Sequence, residues 1–275
     1  MANPIFQVDA FTHIPYRGNP AAVVILKKMQ PDDWLQNVAA EMNLSETAFV
    51  APNIDPFKRV WQLRWFTPKT EVELCGHATI AAAHIMYSEG YVKPLESIRF
   101  DTLSGELQAS KDAGSWIELN FPTSTIEPVE APAGLAEALG ATPITVHKAI
   151  FDQEFDYLVE LESDEVVRDA TPNLAKLAQV GGRGITITAK AAAETDGAPD
   201  FVSRMFAPNV GVDEDPVTGS AHCYLSKFWA DKLGKTEFKA HQVSKRGGTL
   251  KVVLDGDRTK IAGRAVTILK GSLLK

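Results

Sequence analysis

Residues 73–84, ELCGHATIAAAH, place a thiol, a glycine and an imidazole at the point where an apolar run begins. Three kinds of chemistry use such groups: metal binding, nucleophilic catalysis, and anion binding by the free N–H groups of a helix start. The spacing matches no dedicated zinc site such as C-x-x-C or H-E-x-x-H, so no metal is predicted. Cys75 is more typical of a small buried thiol than of a nucleophile. The segment therefore favours an anion site at Gly76, with His77 able to transfer a proton near neutral pH.

A similar pattern occurs a second time, in DEDPVTGSAH at residues 213–222. In both copies a Phe-x-Pro sequence precedes an acidic loop and a helix pattern, and the helices open at Gly76 and Gly219. A glycine lets a ligand approach the backbone closely, and a helix dipole favours an anion at its N-terminus. The repetition predicts a duplicated unit whose two helix starts bind a carboxylate.

Carboxylates supply the second group of candidates. Glu46, in NLSETAF, begins a predicted strand among apolar residues, a setting that suits a general acid or base. A surface glutamate without a role is the alternative. Asp215 ends the acidic run before Gly219, where negative charge suits the helix dipole, and Pro216 fixes the turn after it. A solvated acidic loop is the alternative there.

The composition is that of an ordinary globular protein, with 275 residues of which 45% are hydrophobic and 23% charged. No apolar run is long enough to span a bilayer, so no membrane role is predicted. The net charge is −7 and the basic residues are scattered, so nucleic acid is not a predicted partner. Two cysteines, and a first segment without the pattern of a secretory signal, predict a cytoplasmic location.

Helix and strand patterns alternate irregularly along the chain, which predicts a mixed α/β (α+β) fold rather than a regular βαβ repeat. Residues 123–134, TSTIEPVEAPAG, are rich in Pro, Thr and Glu and are the best candidate for a linker. The predicted halves are therefore residues 1–122 and residues 123–275. The C-terminal strand near residues 262–275 can complete the first half.

Five segments, in order, resemble the signature segments of the PhzF-like family of phenazine-biosynthesis isomerase relatives: VDAFT, RGNPAAVV, NLSETAF, FTPKTEVELCGHATIAAAH and DEDPVTGSAH. The resemblance runs over nearly the whole chain. It implies a diaminopimelate-epimerase-like fold, in which two pseudo-symmetric halves each curl a β-sheet around a central helix. It also implies a homodimer without a cofactor, acting as an isomerase on a small carboxylate substrate, with a glutamate as the base and acid.

The resemblance also assigns roles to residues at matching motif positions. Catalytic roles fall on four side chains: Glu46, His77, Asp215 and Ser220. Substrate binding falls on one side chain of the G-N-P segment and on the two glycines that open the helices: Asn19, Gly76 and Gly219.

Two other functions stay open. An amino-acid racemase or epimerase is the alternative among enzymes. The epimerase relatives use two cysteines, whereas here Cys75 occupies one such place and the second-half loop has Asp215 and Pro216. A non-catalytic homodimer that binds a metabolite or a protein is the alternative outside enzymes. The sequence does not specify the substrate, because residues from several loops shape the pocket.

Overall fold

The computed structural model describes residues 2–53, 60–151, 154–192 and 197–274. In chain order the strands are β1 (Asn3–Ala10), β2 (Asn19–Ile25), β3 (Glu46–Pro52), β4 (Trp61–Phe66), β5 (Glu71–Val72), β6 (Ile98–Thr102), β7 (Gly105–Lys111), β8 (Ile117–Pro122), β9 (Thr125–Pro128), β10 (Thr145–Phe151), β11 (Glu154–Glu160), β12 (Gly184–Lys190), β13 (Phe201–Ala207), β14 (Val212–Asp215), β15 (Glu237–Gln242), β16 (Gly248–Asp255), β17 (Arg258–Gly263) and β18 (Ala265–Leu273). The helices are α1 (Asp32–Met42), α2 (Gly76–Ser88), α3 (Leu135–Leu139), α4 (Asp164–Asp169), α5 (Leu174–Val180) and α6 (Gly219–Leu233), with a short 3₁₀ turn at Pro208–Val210.

The chain divides into two compact units. The first contains Met1–Asn120 together with Ala262–Lys275, and the second contains Phe121–Ile261. Residues 262–275 join the first unit because β18 pairs antiparallel with β1 along most of its length. The sequence placed a linker at residues 123–134, and this was wrong: β9 lies within that segment and pairs antiparallel with β10. The Thr-Ile-Glu-Pro stretch of the segment forms the strand, and Pro132 lies outside it.

The first unit is a mixed sheet in the order β18, β1, β2, β3, β4, β6, β7, β8. The pairs β2–β3 and β4–β6 are parallel, and a helix lies in each of these connections, since parallel neighbours need a crossover. Helix α2 packs against strands from β18 to β7 and is buried on all sides, as its apolar sequence predicts. Its run of alanines lets the surrounding strands approach closely. The sheet therefore curls around α2.

Helix α1 covers the outer face of β3 and β4. Its apolar side chains recur at helical spacing, and Leu35 and Ala39 are fully buried against Phe49 and Phe66. Asn43 ends the helix with a left-handed φ of 50°, a conformation that asparagine tolerates. This helix, and its asparagine end, are confirmed as the sequence predicted them.

The second unit repeats the connectivity of the first. Its strands follow the order β9, β10, β11, β12, β13, β15, β16, with parallel pairs at β11–β12 and β13–β15. Helix α6 takes the place of α2, and α3, α4 and α5 pack outside the sheet over an apolar cluster that includes Leu139, Val167 and Leu177. In register, Ala21 lies beside Glu46 in the first unit, as Asp156 lies beside Gly184 in the second. The predicted fold is confirmed.

A repeated ion pair anchors the loop before each central helix. Arg64 binds Glu71 through two hydrogen bonds of 2.6 Å, and Arg204 binds Glu214 through bonds of 2.7 and 3.1 Å. Each guanidinium lies about 5 Å over the ring of the phenylalanine two residues later. Part of the acidic run before α6 therefore holds the loop in place and is not simply solvated.

No helix within the described ranges is long and apolar enough to cross a membrane.

Helix α6 buries a histidine that makes stability depend on pH. His222 is fully buried, and its Nδ1 donates a 2.7 Å hydrogen bond to the carbonyl of Thr218. Burial lowers the pKa of His222 to about 4, whereas in the unfolded chain the ring takes up a proton near pH 6.5. The resulting stability is complete above pH 6.5. We expect it to fall by about 3 kcal/mol as the pH drops from 6.5 to 4.

Urea unfolding at several pH values between 7 and 4 tests this expectation. His222→Asn keeps a side-chain donor near Thr218 but cannot titrate, so its free energy of unfolding should fall less steeply over the same interval. Equal slopes for the variant and the wild type would show that other groups govern the acid sensitivity.

Candidate active site

Glu46 and His77 meet in the first unit. Glu46 is the first residue of β3, and His77 is the second residue of α2. The Oε2 atom of Glu46 lies 3.0 Å from Nε2 of His77. Their side chains are 18% and 8% exposed, so this contact is nearly buried. Both atoms are buried, and within the described part of the chain neither makes an aligned hydrogen bond.

Cys75 lies on the opposite edge of the same imidazole. It occupies the N-cap position of α2 in an extended conformation, and its Sγ is 3.6 Å from Nδ1 of His77. Its side chain makes no capping bond, while its carbonyl accepts a 2.6 Å hydrogen bond from the hydroxyl of Thr79. The ring of His77 is therefore held between a thiol and a carboxylate.

These neighbours set the charge of His77. Burial alone would lower the pKa of His77, but the acidic groups Cys75 and Glu46 reverse this and raise its pKa well above 6.5. Burial also raises the pKa of the Cys75 thiol, and the nearby charge of Glu46 adds to that rise. The carboxylate of Glu46, 3.0 Å from Nε2, is the neighbour that favours a proton on that nitrogen.

The same three side chains form a possible set of metal ligands. Ligand atoms of Glu46, Cys75 and His77 all lie within 4.8 Å of one another, and zinc accepts each type. Sequence spacing could not indicate this set, because β3 and α2 bring it together. A cysteine binds zinc as its thiolate, and burial disfavours the thiolate of Cys75.

We therefore expect purified protein to carry no stoichiometric metal. Elemental analysis of protein prepared without chelator, compared with the Cys75→Ser variant, checks this expectation. One tightly bound zinc per chain that is lost in the variant and needed for activity would contradict it.

In the second unit, Ser220 takes the position that His77 has in the first. It is the second residue of α6, and its Oγ accepts a 3.3 Å hydrogen bond from Nη2 of Arg183. Arg183 in turn donates two hydrogen bonds to the fully buried carboxylate of Asp156, from Nε at 2.9 Å and from Nη2 at 2.6 Å. The hydroxyl of Tyr224 lies 3.2 Å from the same carboxylate. A buried polar network thus extends from Ser220 into the interior of this unit.

Asp215 is the last residue of β14, directly before the loop that leads into α6. One of its carboxylate oxygens accepts a 2.5 Å hydrogen bond from the hydroxyl of Thr218. The side chain of Gln242, which is almost fully buried, bonds both the carbonyl of Asp215 and the backbone N–H of Thr218. The loop before the helix is therefore held from the sheet. Thr218, at the N-cap, makes no side-chain cap and stands at the position equivalent to Cys75.

The three residues predicted to bind substrate lie at helix starts and in a strand. Gly76 and Gly219 open α2 and α6, and neither has a positive φ, so both are ordinary first residues of a helix. Asn19 is fully buried at the start of β2. The preceding Gly18 has a φ of +67°, and a Cβ there would lie 2.1 Å from the carbonyl oxygen of Ala10. Only glycine fits this turn, which delivers Asn19 into the sheet.

The first unit therefore brings together Glu46, Gly76 and His77, and the second brings Asp215, Gly219 and Ser220 to the start of α6. Sequence reasoning missed Arg183 and Asp156. The four residues Gly-Gly-Arg-Gly at 181–184 have the wrong spacing for a phosphate loop, and the arginine within them received no role. A lone aspartate in the apolar strand EFDYLVE was the available signal, because a buried carboxylate needs a cation.

A family model described as phenazine biosynthesis-like protein, PhzC-PhzF, matches residues 8–271. A relative named an uncharacterized isomerase from Halalkalibacterium halodurans is 48% identical over 275 residues, which cover 100% of this chain and 99% of the relative. The chain belongs to the PhzC-PhzF family. A human phenazine biosynthesis-like domain-containing protein is 41% identical over 293 residues and 99% of each chain.

Solved structures agree with this membership. The crystal structure of a PhzF-family protein from Enterococcus faecalis has a TM-score of 0.91 and 36% identity, with 100% of both chains covered. A hydroxyproline epimerase from Agrobacterium vitis is 13% identical with a TM-score of 0.63, covering 99% of this chain and 92% of that one, and shares the fold alone. The family resemblance is thus confirmed, and the protein is an isomerase of the PhzC-PhzF family.

Proposed function

We propose that this isomerase moves a proton within a small, cyclic or amino carboxylate by general acid–base catalysis, without a cofactor. The observation that carries the proposal is the contact of Glu46 with His77 at 3.0 Å, where neither facing atom has an aligned partner among the described residues. Glu46 can take a proton from an acidic carbon of the substrate. As the double bond shifts, the same proton returns from Glu46 to a second carbon, so no redox partner is needed.

His77 assists this transfer through its charge. As an imidazolium, it can donate a hydrogen bond to negative charge that develops on the substrate. Cys75 holds the other edge of the ring and limits its rotation. The roles proposed for Asp215 and Ser220 in catalysis, and for Asn19, Gly76 and Gly219 in binding, rest on the family resemblance. The homodimeric state is proposed on the same basis, and the cytoplasmic location is proposed from the low cysteine content.

A proton-transferring carboxylate fits the site better than racemisation by two thiols. Thr218 occupies the position equivalent to Cys75, and a hydroxyl is a far weaker acid than a thiol. Cys223 does not replace it, because its thiol is buried against the carbonyl of Gly219 and burial raises its pKa to about 12.

Screening small cyclic and amino carboxylates by thermal shift tests the proposal, since a ligand that binds the folded state raises the melting midpoint. Compounds that bind are then incubated with the enzyme in D₂O, and deuterium uptake at carbon is followed by NMR. Uptake at two carbons of one substrate, with movement of its double bond, supports the isomerase. Exchange at a single carbon with inversion supports a racemase, and binding without any exchange supports a non-catalytic role.

A further inference from the structure

Among the described residues, two of the three guanidinium nitrogens of Arg183 make hydrogen bonds, and Nη1 does not. Its Nε and Nη2 bind the two oxygens of Asp156, and Nη2 also bonds Ser220. The ring of Phe151 lies 4.8 Å from the guanidinium carbon and covers one face. Across the described ranges Nη1 of Arg183 makes no hydrogen bond, and the side chain is 27% exposed. The unused edge of the arginine is therefore accessible.

In two other arginines of this fold, Arg64 and Arg204, Nη1 does make hydrogen bonds. Nη1 of Arg64 donates a 2.8 Å bond to Asp32. Nη1 of Arg204 donates to three backbone carbonyls near the end of α4. Both side chains hold loops with all three of their nitrogens. Arg183 thus differs from these two structural arginines, because its Nη1 makes no hydrogen bond among the described residues.

The fold itself does not require a charge at this place. In the first unit, the strand position equivalent to Asp156 is the fully buried Ala21. A buried ion pair has a large desolvation cost and is often no more stabilising than apolar residues. The second unit nevertheless buries Asp156 completely and uses it to fix the plane of the arginine. The geometry is that of an oriented cation next to Ser220.

We infer that Arg183 is a substrate-binding residue that recognises the carboxylate group of the substrate, with Asp156 as its positioning residue; this rests on the proposed function. Because Nη2 donates to Oγ of Ser220, the hydroxyl hydrogen of Ser220 is available for a second acceptor. A carboxylate can then accept from Nη1 of Arg183 and from Ser220 at once. Charge-assisted bonds of this kind are stronger than neutral ones, so the acid is preferred to its amide.

Benzoate serves as the probe, and benzamide is its neutral counterpart of the same shape. Arg183→Gln alone leaves the buried carboxylate of Asp156 without a cation, so the main variant is the double substitution Asp156→Ala with Arg183→Gln. It removes both charges and places alanine where the first unit has Ala21. Asp156→Ala alone keeps the charge of Arg183 but removes the carboxylate that orients its guanidinium. Arg99→Gln, which breaks the exposed pair with Glu106, is the control.

Calorimetry is expected to show that the wild type and the Arg99→Gln control bind benzoate alike and benzamide more weakly. The double variant should bind benzoate roughly 10- to 100-fold more weakly than the wild type. The affinity of Asp156→Ala for benzoate should lie between those of the wild type and the double variant. Wild-type affinity in the folded double variant would overturn the inference, as would equal affinity for benzamide or no wild-type binding of benzoate. Benzoate binding needs no turnover. Arg183-dependent binding without proton exchange on any substrate would therefore reject the isomerase mechanism alone, and exchange with Arg183-independent binding would reject this inference alone.

Discussion

Replacing Glu46 with glutamine is expected to leave the fold intact and to slow proton exchange on the substrate at least roughly 100-fold. The amide has nearly the same shape as the carboxylate, so β3 and α2 should pack unchanged. It cannot accept the proton from the substrate, and it removes a negative charge that raises the pKa of His77. Both effects act on the chemical step. The measurement is deuterium exchange by NMR, with the melting midpoint recorded for the same samples.

Glu41→Gln provides the matched control, because Glu41 is an exposed glutamate on α1. It makes the same chemical change and should exchange protons at the wild-type rate. Normal turnover by the Glu46 variant would make this carboxylate structural and would reject the proposed mechanism. A parallel loss in both variants would point to damage unrelated to the site.

Arg183→Gln is expected to lower the free energy of unfolding by about 3–5 kcal/mol, because it leaves the carboxylate of Asp156 buried without its cation. Asp156 has no exposed surface, and among the described residues its remaining side-chain partner is the neutral hydroxyl of Tyr224. The hydroxyl cannot replace the charge of the guanidinium. Urea denaturation at neutral pH, with the wild type measured in the same buffer, gives the difference.

The double variant Asp156→Ala with Arg183→Gln should recover most of this loss, since no charge remains buried. Arg99→Gln should cost no more than about 1 kcal/mol, because Arg99 and Glu106 are both half exposed. If Arg183→Gln proves as stable as the Arg99 variant, the carboxylate of Asp156 does not depend on this arginine. The role assigned to Asp156 as a positioning residue would then lose its basis.

Local sequence signals predicted the helix starts and the repeated architecture. Gly76 and Gly219 each follow an acidic loop and precede an apolar run, and these features involve residues close in the chain. Hydrophobic periodicity likewise predicted α1 and its end at Asn43. The linker prediction failed because composition does not reveal that a short Thr-Ile-Glu stretch finds a partner in β10. Strand pairing of this kind depends on a distant segment.

The sequence by itself determined the family, the duplicated fold and the candidate residues within the repeated motifs, because these depend on residue type and on spacing within a segment. Tertiary structure alone decided which of them meet. Glu46 faces His77 because β3 begins beside the start of α2, and this contact helps to raise the pKa of the histidine. Arg183 reaches Ser220 across 37 residues of chain because strand register brings Asp156 beneath it. Charge, burial and orientation arise only when distant segments pack together, so a linear motif does not contain them.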